Sequence, residues 1–450
     1  MKAMKNLLWM ATLALTAAAL TACSNEEEPT INEDPVQKGN VVFLTATIQP
    51  QSVVTRSLLT ENGDGSVTSE WQVGDRLLVG YQTNSDPNYA MATVKAIDPG
   101  TKAATVTLEM TDPKNGGAIE FYYPYDAMTG AKDLFSDQKG TLADIADNWV
   151  VCGGSATMST AGSTASLTGT VTMAPLSSIW KFSFTDGSSG ITNSINQLNI
   201  SWGSRTYQVM PTNQSNIYVS MSTPSISTPS DIILVAHTTS DVYLKTQTDI
   251  SLISGKMYVS PNLALTRAKT MTEATASDIG RVIGQDGRIY DNGTLATACG
   301  TTAKAMIAYV GAVSGICDHG LAIALENESG GRKDIDGALA ACASKTPIAG
   351  HSWRLPSSQD WQHMMRGCGS TDALIPDASL NNTSEFECLN FVTKVKAVGT
   401  KLDEDTEFGH TYGEYWATSS NGGWMMRIYL SKGTYTGCTG QCTVRACLPF

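Results

Sequence analysis

From Val41 to about Leu265, apolar side chains recur at every second position in short runs separated by turn residues. In the first run, Val42, Leu44, Ala46 and Ile48 fall on one side and Val41, Phe43, Thr45 and Thr47 on the other, and Pro50 stops it. A period of two marks a strand with one face buried. Segments 75–81, 92–97, 104–109 and 119–123 read as strands too, with turns at 62–65, 98–100 and 112–117. A second strand series covers 166–173, 178–184, 197–202, 217–221, 232–236 and 242–245. Between the two series lies a Gly/Ser/Thr/Ala run from Gly153 to Ala165, read as a seam. Strands this dense, without an amphipathic helix, predict two β-sandwiches built from packed apolar faces.

The period changes after the polar linker that begins at Thr266. Helical spacing appears over 334–343. A second helix is predicted from Ser358, with Ser357 as cap and Asp360 in its first turn, and a third over 384–398. Strands resume at 415–418 and 424–430, so this last part is expected to be a compact α+β domain.

The first residues carry processing signals. Lys2 and Lys5 precede an apolar stretch, Leu7 to Leu20, that is too short to span a bilayer. Leu20-Thr21-Ala22-Cys23 then has the order of a bacterial lipobox, in which the Cys23 thiol is alkylated with diacylglycerol. The acidic, apolar-poor segment after it reads as a tether. An exported precursor, held to the membrane by lipid, is expected. Arg56 stands before Ser57 in the loop that follows the first strand, a position open to proteolysis.

At 450 residues the chain is too long for one core, and about two to four domains are expected. Its net charge of −12 makes nucleic acid and anionic membrane poor partners. Of ten cysteines, Cys23 is the lipid site and Cys152 stands alone. Cys299, Cys317, Cys342, Cys368, Cys388, Cys438, Cys442 and Cys447 cluster in the last third, which in an exported chain reads as a set of disulfides of open pairing. Cys438, Cys442, Cys447 and His319 do not have the spacing of a structural zinc site, so no metal and no cofactor is expected.

No nucleophile elbow, phosphate loop, His-Glu-x-x-His or dinucleotide fingerprint occurs. The histidines are scattered, and no catalytic residue is assigned. The Glu-Pro-Asn, Gln-Pro-Asp and Trp-Asn-Asp triplets of calcium-dependent lectins are also missing, and the acidic run 403–407 reads as a solvated loop. Trp353, Trp361, Trp416 and Trp424 are candidates for stacking on a ligand, against the alternative that they build the core.

Two resemblances organise these features. Residues from about 41 to 265 resemble the fimbrillin family, the pilin-type lipoproteins of type V pili. The lipobox, Trp71-Gln72-Val73-Gly74-Asp75-Arg76, Phe121-Tyr122-Tyr123-Pro124-Tyr125 and Ser254-Gly255-Lys256-Met257-Tyr258 carry the match. The resemblance implies two tandem transthyretin-like β-sandwiches. It also implies that an arginine-specific protease, acting at Arg56, removes the strand of Val42, Leu44, Ala46 and Ile48. From about Thr275 onward the chain is similar to FISUMP-type domains, which resemble C-type-lectin-like folds. Trp353-Arg354-Leu355-Pro356 with Trp361, Tyr415-Trp416-Ala417-Thr418-Ser419 and Val444-Arg445-Ala446-Cys447 carry that match.

The expected organisation is a signal peptide over 1–23, a tether and removable strand over 24–56, sandwiches over 57–165 and 166–265, a linker over 266–274 and a cysteine-rich domain over 275–450. The expected role is a non-enzymatic pilus subunit. Stalk fimbrillins give their C-terminal strand to a neighbour, and here that end carries a domain, which points to the tip. Its expected partners are other pilus subunits and a glycan or protein ligand. The alternatives are a surface glycan-binding lipoprotein that never polymerises and a formylglycine-generating-like oxidase that uses C-terminal cysteines.

Overall fold

The computed structural model describes residues 40–50, 60–61, 67–68, 70–222, 229–400, 402, 413–419, 422–429, 431–438 and 440–450. Cys23, Arg56, Ser57 and the acidic run 403–407 lie outside these residues. The chain is mainly β and forms two compact units that meet at Thr266/Arg267.

The first unit opens with a closed sheet. Its strands are β1 (Val41–Pro50), β2 (Arg76–Tyr81), β3 (Asn88–Ile97), β4 (Ala104–Thr111), β5 (Ala118–Tyr123), β6 (Cys152–Ala161), β7 (Thr164–Thr168) and β8 (Val171–Pro175). The order is β8-β1-β4-β3-β2-β5-β6-β7, and additional β8–β6 and β1–β7 pairings bring the two ends together. Period-two patterning produces this: Leu77, Val79 and Tyr81 of β2, Val106 and Leu108 of β4, and Ile119 and Phe121 of β5 all turn into one core. The Gly/Ser/Thr/Ala run expected as a seam is instead the antiparallel β6–β7 hairpin, paired from Thr157↔Thr168 to Ala161↔Thr164. Small side chains do not prevent pairing when both neighbouring strands offer a ladder, and Met158 still reaches the core.

The rest of the first unit adds β9 (Ser177–Thr185), β10 (Gln197–Trp202), β11 (Arg205–Val209), β12 (Ile217–Ser222), β13 (Ser230–His237), β14 (Val242–Ile250) and β15 (Met257–Ala264). One sheet has the order β12-β9-β15, and in another β11, β10, β13 and β14 are successive neighbours. Trp180 stacks on Phe182 and Phe182 on Phe184 along the buried face of β9.

A segment from the closed sheet's side seals the edge of β12. The buried Gln138 amide accepts from Ser220 N at 2.8 Å and donates to Ser220 O at 2.9 Å, doing the job of a strand neighbour. Ser220 Oγ also donates to Trp149 O at 2.6 Å. Buried apolar side chains from Leu44 to Leu265 pack into one hydrophobic cluster.

In the second unit, β16 (Val282–Gly284), β17 (Ile289–Tyr290), β18 (Ala303–Val310), β19 (Gly320–Ala324) and β24 (Cys447–Pro449) form a sheet of order β17-β16-β18-β19-β24. A second sheet has the order β20-β23-β22-β21, from β20 (Glu385–Glu387), β21 (Gly413–Ser419), β22 (Gly422–Ile428) and β23 (Lys432–Gly437).

Four helices, α1 (Gly293–Ala298), α2 (Ile335–Ala343), α3 (Ser358–Gly367) and α4 (Leu389–Ala397), complete it. Asp334 caps α2 through Gly337 N, and Ser357 with Asp360 forms the expected capping box on α3. The helix expected over 384–398 is shorter. Glu385–Glu387 is a strand that buries Phe386 and pairs with Lys432–Thr434, helped by a Lys432–Glu385 ion pair.

Candidate functional site

Strand β1 sits between two edges. On one side it is antiparallel to β4, from Val41↔Thr111 to Ile48↔Ala104. On the other it runs parallel to β7 at Phe43↔Thr164 and Leu44↔Ala165, and to β8 from Ile48↔Val171 to Pro50↔Met173. Val42, Leu44, Ala46 and Ile48 are 1, 1, 5 and 0% exposed, while Phe43 between them is 56% exposed. Asn40 ties down the entry: its N–H donates to Asp112 Oδ1 at 2.6 Å and its carbonyl accepts from Asp112 N at 2.9 Å. Taking β1 away would leave a groove floored by apolar core, with unpaired backbone groups along β4 on one wall and along β7 and β8 on the other.

Three of the four tryptophans of the second unit build its interior. Trp361 is fully buried and donates to Trp416 O at 3.2 Å. Trp416 donates to Lys333 O at 2.6 Å, and Trp353 to Thr346 O at 3.0 Å. The Lys345 ammonium lies 5.0 Å from the centre of the Trp353 ring. Three of the candidates for stacking on a ligand therefore serve packing, because buried rings with satisfied N–H groups present no face to solvent. Trp424 is half-buried, with its N–H on Ser419 Oγ at 3.0 Å.

The disulfides expected of this domain depend on which sulfurs the fold brings together. Cys317 donates to Gly311 O, Cys368 to Ala308 O and Cys388 to Tyr429 O. Cys447 faces Asp360 Oδ2 at 3.9 Å. Buried one by one, these thiols act as small apolar groups with a weak donor. Burial pushes Cys299, Cys342 and Cys368 up to about 12, so they are poor nucleophiles. Cys438 and Cys442 are different: their sulfurs lie 3.0 Å apart. His319 binds the Ala274 carbonyl through Nε2, and His363 packs edge-on against Tyr309. Among the described residues no three metal-ligating side chains come together.

A polar cleft of about 650 Å³, absent from the sequence reading, is lined by Glu328, Arg332, Lys333, Asp334, Ser344 and Gln441 among others. Gly337, Ala340 and Ala341 of α2 leave its floor open. Arg332 donates to the buried Glu414 carboxylate and, through Nε, to Gln441 O at 2.9 Å. Arg427 holds the other Glu414 oxygen at 2.9 Å. Burial by itself pushes the Glu414 carboxyl up, and the bonds from Arg332 and Arg427 outweigh it, holding the group below its ordinary value. Lys345 pairs with Glu328 at 2.8 Å. No motif marks these residues, because Gln441 meets Arg332 and α2 only in the fold.

No protein-family model matches the chain, and no curated protein matches it. Among solved structures it is similar to a fimbrial protein from Bacteroides ovatus, at 14% identity over 92% of this chain and 100% of that one, with a TM-score of 0.26. It is also similar to a fimbrial assembly protein from Parabacteroides distasonis, at 9% identity over 50% of this chain and 92% of that one, with a TM-score of 0.29. A third similar structure is the tip fimbrial protein Mfa3 from Porphyromonas gingivalis with C-terminal truncation, at 11% identity over 48% of this chain and 84% of that one, with a TM-score of 0.22.

Proposed function

We propose that this chain is a non-enzymatic adhesive pilus subunit that accepts a strand from another subunit after its own β1 is removed by cleavage between Arg56 and Ser57. The observation that carries the reading is the position of β1. It follows a lipobox in the sequence, precedes Arg56 by a few residues, and fills a slot between two strand edges. Losing the burial of Val42, Leu44, Ala46 and Ile48 forfeits about 1.5–3 kcal/mol per large side chain, so about 5–8 kcal/mol in all. A donor strand restores that burial together with both hydrogen-bond ladders, which is β-strand addition.

In this reading the precursor is an outer-membrane lipoprotein anchored through Cys23, and the mature chain stands at the cell surface in a pilus. The two sandwiches of the first unit have the transthyretin-like form, and the second unit, C-type-lectin-like in kind, binds a glycan or protein. The tip position is supported by the state of residues 447–450. Cys447–Pro449 pairs with β19, Phe450 is 2% exposed, and the Phe450 carbonyl accepts from Gly320 N at 2.8 Å. These residues are committed to their own unit and are not available as a donor.

The test is the intact mass and N-terminal residue of the protein taken from its native cell surface. Ser57 at the N-terminus is the expected result. A lipidated Cys23 with Arg56 uncut would replace this reading with that of a tethered, non-polymerising lipoprotein.

A further inference from the structure

We propose that Cys438 and Cys442 close a disulfide after export, that the other buried cysteines of the second unit stay thiols, and that this bond pins one wall of the polar cleft. The inference rests on the export signalled by the lipobox and is independent of polymerisation.

Three observations support it. Only these two sulfurs among the described cysteines touch each other, at 3.0 Å, so little movement separates them from bonding distance. Cys438 is partly exposed while Cys442 beneath it is buried, which gives an entering oxidant one accessible sulfur and a second one to resolve the mixed disulfide. Cys317, Cys368 and Cys388 each donate to a backbone carbonyl.

The chemistry balances with an exported thiol–disulfide oxidoreductase, or a small-molecule disulfide, as oxidant. Cys438 loses its proton and its thiolate attacks one sulfur of the oxidant's disulfide, forming a mixed disulfide and releasing the other sulfur as thiolate. Cys442 loses its proton and displaces the oxidant from Cys438. The Cys438–Cys442 bond has then formed, and the oxidant leaves as a dithiol, or as two thiols where it is a linear small-molecule disulfide, carrying the two electrons and two protons.

The consequence for the cleft follows from the backbone. Cys442 N donates to Lys333 O at 3.0 Å, and Lys333 N donates to Cys442 O at 3.0 Å. Gln441 O holds Arg332 Nε. A covalent clamp across Cys438 and Cys442 restrains the segment that positions Arg332, Lys333 and Gln441 at the cleft.

The test is peptide mapping of the full chain from its native cell surface. Free thiols are blocked with an alkylating reagent in denaturant before any reduction. Trypsin releases Gly433–Arg445, which holds Cys438 and Cys442 and no other cysteine. We expect that peptide to carry no alkyl group before reduction and two after it, with Cys317, Cys368 and Cys388 alkylated at the first step. Alkylation of Cys438 and Cys442 without reduction, or a crosslink from Cys438 to another peptide, overturns the pairing. Hydrogen exchange then tests the clamp. Reduction is expected to speed exchange at the Lys333 and Cys442 amides, and unchanged rates would overturn the link to the cleft.

Discussion

Gln138 shows how one side chain holds two parts of the first unit together. Its amide satisfies both backbone groups of Ser220 and also donates to Leu134 O at 2.9 Å, and both Gln138 and Ser220 are fully buried. Gln138→Ala strands these groups, and with unsatisfied buried polar atoms costing about 1–3 kcal/mol each, a loss of about 2–4 kcal/mol is expected. Urea unfolding of the variant measures it; a loss below about 1 kcal/mol would mean that the edge of β12 is sealed by something else.

Glu414 makes a second residue-scale prediction, with a pH sign. Its folded carboxyl lies below the ordinary 4.5 because two arginines outweigh its burial. A depressed folded value means that its stabilisation is fully present above 4.5 and is lost as pH falls through the lower, folded value. Glu414→Gln is expected to cost about 2 kcal/mol at neutral pH, and the difference from wild type should shrink as the solution is acidified below the ordinary glutamate range. Denaturation curves at neutral and acid pH check this; a constant gap would refute the titration.

At the scale of elements, β1 was legible because period-two patterning, a proline stop and flanking turns all agreed on it. Residues 153–165 were not, since Gly, Ser, Thr and Ala lack an apolar face, and the strands there come from ladders offered by β5 and β8. The start of α4 was misjudged for a related reason: Glu385-Phe386-Glu387 suits either period, and the β23 edge decided for the strand. The cap on α3 was plain from Ser357 and Asp360, whose bonds are local in sequence, whereas the Asp334 cap on α2 emerged only in the structure. The same period-two logic makes β1 replaceable. A chain beginning at Ser57 is expected to bind a synthetic peptide of residues 40–50 and to recover stability with it. The same peptide with Leu44→Asp should fail, because a carboxylate would enter a position that is 1% exposed in the intact sheet. Calorimetry or peptide fluorescence reads both, and equal binding of the two peptides would show that the groove does not use β1's buried face.

The whole molecule divides by its cores. One cluster draws on residues from Leu44 to Leu265, and two others draw on residues from Met271 to Phe450. That division was visible in the sequence as a change from strand patterning to helical and cysteine-bearing segments after Thr266. What could not be read was which distant residues meet: the Arg332–Glu414–Arg427 cluster and the cleft join segments by folding, and even for Cys438 and Cys442, four positions apart, only the fold turns the two sulfurs toward each other. The tryptophans stayed open between stacking and core in the sequence, because composition does not tell a stacking ring from a core ring until burial is known. Separate cores imply separable unfolding. Differential scanning calorimetry of the full chain is expected to show two transitions. Leu44→Asp should lower only the one belonging to residues 40–266, because Leu44 packs in a cluster that contains no residue beyond Leu265. If both transitions moved together, the two units would be one cooperative body, and removal of β1 would then be felt as far as the cleft of the second unit.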